Sequence, residues 1–159
     1  MAQRKKSAAP RETQDEYGNT WTGAAPVPDE ELAATEKTLG FALPPALRSF
    51  MQRFNGGRPR LRCHRDARHE VEVGTVLPLR PPNARVMSFE ATCQRLFARP
   101  DFDRALVPFA TDTGNANYFC VDTRSGAVVY WLHDDPQSPR RDLAPSLDGF
   151  LAGLQDVPY

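Results

Sequence analysis

The chain has 159 residues, of which 40% are hydrophobic, and this is enough for one domain with a packed core. Its 20 Lys and Arg residues balance its 20 Asp and Glu residues, so its formal net charge at pH 7 is zero. A neutral chain lacks the long-range positive field on which general nucleic-acid binding depends, and its apolar runs are far shorter than the roughly 20 residues that span a bilayer. We therefore expect neither a nucleic-acid binder nor a membrane protein.

The first segment, residues 1–25, lacks apolar periodicity and is rich in small, polar and charged residues. Such a composition cannot bury enough surface to fold, so we predict a disordered tail over residues 1–25 and a single domain over residues 26–156. Trp21 is the exception, because a large aromatic residue in such a tail is expected to pack on the domain or on a partner. The tail has a basic start but no apolar stretch of a secretion signal, so we expect a cytoplasmic protein.

Two helices are predicted next. The first begins with three acidic residues, which complement the positive helix start, and ends before Gly40. Glu36 lies on its apolar stripe, so we expect Arg48, Arg53 or loop amides to satisfy this carboxylate, rather than a catalytic role for it. The second helix opens with two prolines and ends at Asn55. We expect the two helices to pack as a hairpin.

A basic segment follows over residues 58–68, and its apolar content is too low for a core element. We predict an exposed loop or an edge strand. The segment has no interleaved aromatic residues for base stacking, so we prefer the acidic face of a protein partner as its target, with a solvated loop as the alternative. Cys63, His64 and His69 carry metal-ligand side chains, but their spacing matches no closed metal site, and we expect no metal here.

The rest of the chain predicts strand material, a helix, a meander and a terminal helix. Ser88 is expected to cap the helix, which ends near Pro100. The predicted elements are strand material over residues 71–77, three meander strands at residues 106–110, 117–122 and 127–133, and a helix over residues 145–154. A helix pair, a largely antiparallel sheet with a C-terminal meander and a C-terminal helix describe an α+β domain.

The motifs with a strong catalytic meaning, such as phosphate-binding loops and nucleophile elbows, are absent from this sequence. His133 beside Asp134 has the chemistry of a general base, but a nucleophile is missing, because an apolar setting raises the pKa of the Cys120 thiol and makes it inert. The polar turn at residues 112–117 has oxygen atoms suited to calcium or to a partner backbone, although a hairpin turn is the favoured interpretation. We expect no enzyme, no cofactor and no metal.

A family resemblance rests on a string of residues in the helix pair and on the order of the segments that follow it: a strand at residues 106–110, a hairpin at residues 112–122, a strand at residues 126–134 and a helix at residues 143–154. The motif residues are Glu36, Leu39, Gly40, Leu43, Pro44, Asn55, Gly56, Gly57 and Trp131. Their order resembles the signature of SUKH-superfamily domains, and the similarity runs from about residue 27 to residue 154. One departure is that Asn115 directly follows Gly114, where the family often has two glycines.

The resemblance implies the SUKH α+β fold and a choice between functions. Many bacterial members resemble immunity proteins of polymorphic toxin systems, which bind and neutralise a toxin, whereas eukaryotic relatives are regulatory or adaptor proteins. We therefore expect an immunity protein that occludes a cognate protein toxin, with a non-catalytic regulatory adaptor as the alternative, and a small hydrolase or metal protein as a third candidate. Expected contact residues lie in loops and at strand ends, where recognition commonly resides: Arg58, Arg60, Arg62, Arg65, Asn115, Asn117, His133 and Asp134.

Overall fold

A computed structural model describes residues 11–158 of the protein. Its elements, in chain order, are β1 (Glu12–Gln14), β2 (Thr20–Thr22), α1 (Asp29–Leu39), α2 (Pro45–Phe54), β3 (Arg58–Pro59), β4 (Cys63–Arg65), β5 (Glu70–Val76), α3 (Phe89–Phe97), β6 (Leu106–Asp112), β7 (Tyr118–Asp122), β8 (Val128–Trp131), β9 (Arg140–Ala144) and α4 (Leu147–Ala152). The predicted α+β class is confirmed. Within residues 11–158, no helix is long and apolar enough to cross a membrane.

The main sheet has six strands in the order β4-β5-β6-β7-β8-β9, and every neighbouring pair is antiparallel. After α4 the chain returns to the edge of β4, where Gln155 pairs with Cys63. The Cys63 amide donates to the Gln155 carbonyl at 3.0 Å, and the Gln155 amide donates to the Cys63 carbonyl at 2.9 Å. The segment after α4 thus covers this edge of the sheet.

A second, three-stranded sheet includes residues that were predicted to belong to a disordered tail. The sheet has the antiparallel order β1-β2-β3, so residues 12–22 form an ordered hairpin that pairs with β3, where disorder was predicted. Trp21 is 1% exposed and packs on Phe50 and Phe54, with ring centroids 5.4 and 5.3 Å away. Local composition does not reveal this order, because it depends on contacts with residues far along the chain. Residues 1–10 of the predicted tail lie outside the described residues.

Side chains of the central strands alternate between two hydrophobic clusters, one on each face of the sheet. On β7, Phe119 and Val121 belong to the larger cluster, whereas Tyr118 and Cys120 belong to the smaller one. The larger cluster holds the buried faces of α1, α2 and α4, and the smaller one holds Trp131. The side chains of β7 therefore alternate between the two faces of the sheet, and Trp131 is a core residue.

The Glu36 carboxylate joins α1 to α2. Its Oε1 accepts a hydrogen bond from Arg48 Nε at 2.8 Å, and its Oε2 accepts one from the Leu43 amide at 2.7 Å. Gly40 ends α1 with φ at 83°, a left-handed conformation that glycine adopts without strain. Of the partners predicted for Glu36, Arg48 and a loop amide are found, while Arg53 pairs with Glu16 instead.

The residues after α2 connect the helix pair to the sheet and to the following loop. Asn55 is 5% exposed, and its Oδ1 accepts a hydrogen bond from the Leu79 amide at 2.6 Å. The Gly57 carbonyl accepts one from the Val76 amide at 2.9 Å. A Cβ atom on Gly57 would lie 3.0 Å from the Phe54 carbonyl oxygen, which is tighter than an ordinary Cβ contact, so glycine accommodates the close approach without a shift of its neighbours. This turn therefore fixes the position of the loop that begins at residue 77.

The helix cap at Ser88 is confirmed, whereas strand β9 was not predicted. Ser88 Oγ accepts a hydrogen bond from the Ala91 amide at 3.0 Å. Strand β9 carries charged residues and a single buried one, Leu143, so it lacks the apolar alternation that indicates a strand. A charged contact helps to hold this edge strand beside β8, because Arg140 Nη1 donates a hydrogen bond to Asp122 Oδ2 at 2.8 Å.

We expect Asp122→Asn to lower the free energy of unfolding at neutral pH by about 1–2 kcal/mol. The Asp122 side chain is 5% exposed, and hydrogen bonds from Arg124 and then Arg140 hold the pKa of this carboxyl well below its ordinary value. Because the native pKa is depressed, the stabilisation is present above about pH 4 and is lost as the pH falls further. Urea unfolding at about pH 6 and about pH 3 should show that the free energy of unfolding falls less between these pH values in the variant than in the wild type.

The matched control is Asp142→Asn, which removes the second carboxylate on Arg140. The Asp142 side chain is 69% exposed, so we expect its substitution to change the free energy of unfolding by no more than about 0.5 kcal/mol at either pH. Equal acid sensitivity of the wild type and the Asp122→Asn variant would contradict this role of Asp122.

Candidate functional site

Two clefts of about 330 and 260 Å³ have lining residues in common, and we call the two together the basic groove. The two clefts share Arg95, Asn115 and Tyr118. The groove is built by the start of β3, the end of β5 with the loop over residues 77–87, α3 with the turn after it, the β6-β7 hairpin and residue 133 after β8. Its charged and polar lining includes Arg58, Arg85, Arg95, Arg99, Asn115 and His133.

The groove carries positive charge that the rest of the described chain does not neutralise. Among the residues that line either cleft, none is acidic. Within residues 11–158, Arg58, Arg85 and Arg95 make no ion pair, whereas Arg99 is held by Asp101 at 2.7 Å. Three guanidinium groups are therefore free to bind an anionic group from outside.

Helix α3 and strand β7 orient one of these arginines. Arg95 Nη2 donates a hydrogen bond to the Tyr118 hydroxyl, and its guanidinium carbon lies 5.9 Å from the centre of the Tyr118 ring. The Tyr118 side chain is buried, and this residue belongs to the core of β7. A guanidinium held by a fixed hydroxyl loses less conformational freedom on binding than a free one.

A hydrogen-bond network makes the β6-β7 hairpin a firm rim of the groove. Asp112 Oδ2 accepts from the Tyr130 hydroxyl at 2.8 Å and from Asn117 Nδ2 at 3.1 Å, while its Oδ1 accepts from the Ala116 amide at 3.0 Å. Burial, followed by the hydrogen bond to Asp112, raises the pKa of Tyr130 to about 12, so the hydroxyl keeps its proton at neutral pH. Asn115 adopts φ of 53° at the tip. The turn oxygens thus accept hydrogen bonds from the hairpin and from residues 130 and 133 beside it, which agrees with the hairpin interpretation.

The loop over residues 77–87 forms the opposite wall. Three contacts fix its ends: the Leu79 amide on Asn55, the ion pair of Arg80 with Glu31, and the Phe89 amide, which donates to the Pro78 carbonyl at 2.8 Å. Between these contacts, the Met87 side chain is 39% exposed and lines the groove. The wall therefore adds an apolar surface to the basic lining.

The structure brings three of the eight predicted contact residues into the groove. Arg58 lines one cleft, His133 lines the other, and Asn115 lines both. Asn117 lies beside them, with its Oδ1 accepting a hydrogen bond from the His133 amide at 3.1 Å. These residues come from separate parts of the sequence, and the fold places them along one surface.

The other four predicted contact residues do not line the groove. Arg62 pairs with Glu72 at 2.9 Å, and Arg65 lies 3.8 Å from Glu70, so acidic residues of β5 partly neutralise the basic segment. Arg60 and Asp134 are exposed outside both clefts. Their part in partner binding stays a prediction.

Sequence reasoning missed Arg85, Arg95 and Arg99. Arg95 and Arg99 are four residues apart near the end of the predicted helix, a spacing that places two charges on one helical face and so offered a signal, although α3 ends at Phe97 and Arg99 follows it. Arg85 lies in a loop without periodicity, and its position becomes evident only from the fold. Tyr118 was assigned to a strand, and its hydroxyl turned out to contact the groove.

The cysteine and histidine candidates have other environments. All three thiols are buried; burial raises the pKa of Cys93 to about 12 and also raises the pKa values of Cys63 and Cys120. His64 Nε2 lies 2.9 Å from Asp66 Oδ2 in the loop between β4 and β5. Across the described residues, no group of three metal-ligating side chains is placed to hold an ion.

A comparison with protein families identifies most of the chain. The model of the SMI1/KNR4 family (SUKH-1) matches residues 26–153. The matched region contains α1 to α4, both clefts of the groove and the residues of the predicted signature, whereas the β1-β2 hairpin precedes it. No curated protein sequence matches the chain.

Proposed function

Because the chain belongs to the SMI1/KNR4 (SUKH-1) family, we propose that it is an immunity protein, which binds a cognate toxin of a polymorphic or contact-dependent toxin system and neutralises it by occlusion. In this proposal the protein acts in the cytoplasm and needs no cofactor. Its partner is a protein domain, not a membrane or a nucleic acid. Fold alone does not give function, so the proposal also rests on the surface that the fold presents.

The single observation that carries the proposal is the basic groove. Its walls are fixed by hydrogen bonds within the protein, and three of its arginines have no acidic partner in the described residues. Arginine is enriched among the residues that dominate binding energy at protein interfaces, and charge complementarity sets both specificity and association rate. A docked toxin would cover the groove and the rims around it, and steric exclusion of substrate from the toxin would follow.

Binding, not chemistry, is the proposed mode of action. A nucleophilic cysteine needs a lowered pKa and access to substrate, but the thiols here are buried with raised pKa values. His133 lies at the groove, yet its Nδ1 is 3.0 Å from Asn117 Oδ1, an amide oxygen that does not supply the charge of a catalytic carboxylate. These environments favour a binder over a hydrolase.

We expect the tagged protein to capture one toxin-bearing polypeptide from its native organism at near one-to-one stoichiometry. Expression of the captured toxin domain alone should stop growth, and coexpression of the immunity protein should restore it. The measurement is growth with and without the protein, and an empty vector with the toxin is the control. Capture of housekeeping complexes with no growth rescue would contradict immunity and favour a regulatory adaptor.

A further inference from the structure

We infer that the basic groove binds an acidic segment of the partner polypeptide, whose carboxylates pair with Arg58, Arg85 and Arg95. The inference rests on the proposed function in that the partner is the toxin, and it adds the chemistry by which the toxin is recognised. The groove consists of two clefts that share three lining residues, so a stretch of chain can reach both, whereas a single side chain can enter only one.

The charge in the groove is a local feature of a neutral protein. The whole chain has formal net charge zero, and many of its arginines are paired with acidic residues, as Arg48, Arg124 and Arg140 are. Arg58, Arg85 and Arg95 differ because none of them makes an ion pair within the described residues, and no acidic residue lines either cleft. A carboxylate entering the groove therefore meets guanidinium groups with no competing acid among the lining residues.

The lining favours carboxylates on a polypeptide over nucleic acid. Guanidinium groups bind carboxylates through two parallel hydrogen bonds, and Arg95 is already oriented by the Tyr118 hydroxyl. Single-stranded nucleic acid needs exposed aromatic faces for base stacking, but the Tyr118 side chain is only 5% exposed. Met87 instead offers an apolar contact, which suits an acidic segment that carries an apolar side chain.

The test is the binding of a fluorescein-labelled peptide of ten glutamate residues, measured by fluorescence anisotropy at low salt. The groove variant combines Arg58→Gln, Arg85→Gln and Arg95→Gln. The control variant combines Arg11→Gln, Lys37→Gln and Arg104→Gln, three exposed basic residues that lie outside both clefts and outside the basic segment. Both variants lose the same net charge, so a difference between them reports the site rather than the overall charge.

We expect the groove variant to bind the peptide at least about tenfold more weakly, and the control variant to bind it within about twofold of the wild type. A lysine peptide of the same length should not bind. Equal weakening in both variants, or no binding of the glutamate peptide by the wild type, would overturn the inference. Circular dichroism melting of the two variants checks that each is folded.

Growth rescue separates this inference from the proposed function. If the wild type protects cells from a captured toxin and the groove variant protects them equally well, the groove inference fails while the immunity function stands. If no toxin is neutralised but the peptide binds with the expected variant pattern, the groove inference stands and the proposed function fails.

Discussion

Replacing Trp21 with alanine is expected to lower the free energy of unfolding by about 3–5 kcal/mol, the range for removing a large buried aromatic side chain. The Trp21 ring is 1% exposed and contacts the rings of Phe50 and Phe54 on α2, so its removal leaves a cavity between the small sheet and the helix. The substitution also removes the hydrogen bond from Trp21 Nε1 to Asp15 Oδ2, which is 2.9 Å long. Urea unfolding followed by circular dichroism measures the loss.

Tyr17→Ala is the control for the same hairpin. The Tyr17 side chain is 40% exposed, and its hydroxyl makes an exposed hydrogen bond to Asp148, so we expect a loss within about 1 kcal/mol. If the Trp21→Ala protein does not fold, the Trp21→Phe variant replaces it in the test, because it keeps an aromatic ring in the core. We expect its free energy of unfolding to be lower than that of the wild type but still measurable. A Trp21→Ala variant as stable as Tyr17→Ala would show that the hairpin does not contribute to the core.

Gly74→Ala is expected to lower the free energy of unfolding by roughly 3 kcal/mol or more, at the upper end of the range for overpacking. A Cβ atom on Gly74 would lie 2.3 Å from the Asp112 carbonyl oxygen, well inside contact distance. Gly74 sits at the register shift between β5 and β6, so relief of the clash requires movement of one strand away from the other. The same movement would displace Asp112, and we expect the variant to lose the firm rim of the groove as well as stability.

Gly114→Ala, in the neighbouring hairpin, is the matched control. A Cβ atom on Gly114 meets only Asp112 Oδ1, at the ordinary contact distance of 3.7 Å. Replacement of glycine by alanine reduces the conformational freedom of the unfolded chain, so we expect the free energy of unfolding of this variant to differ from that of the wild type by less than about 1 kcal/mol in either direction. Unfolding of both variants under the same urea gradient compares them, and equal midpoints would refute the steric argument for Gly74.

Elements with local signals were predictable from the sequence. Helix α1 ends where Gly40 supplies a left-handed residue, and α3 begins where Ser88 caps it, because both effects act within a few residues. The strands of the central meander were predictable from apolar runs between turn residues. The partners of Glu36 followed from the rule that a half-buried carboxylate needs hydrogen-bond donors.

The elements that escaped prediction depend on distant contacts. Strands β1 and β2 are short and polar, and Trp21 orders them by packing on α2 and pairing with β3. Strand β9 is ordered by its pairing with β8 and by the contact of Arg140 with Asp122. Neither cause is visible in a local window of sequence.

The candidate site was predictable only in part for the same reason. Asn115 and His133 were expected at a turn and a strand end, where side chains reach solvent, and both line the groove. Arg85 and Arg95 are separated from them along the chain, and their convergence depends on how α3 and the loop before it lie on the sheet. The basic segment looked like the stronger candidate because it is contiguous in sequence, although acidic residues on β5 pair with two of its arginines.

The pairing of Gln155 with Cys63 has a consequence for the order of folding. Each neighbouring pair of strands in the six-stranded sheet is sequential in the chain, so these pairings close comparatively local loops and form at low entropic expense. The contact of Cys63 with Gln155 is different, because it joins the first strand of that sheet to a segment beyond α4. During synthesis on the ribosome the edge of β4 would therefore stay uncovered until the last helix has emerged, and that interval is when the nascent chain is most open to pairing with another chain.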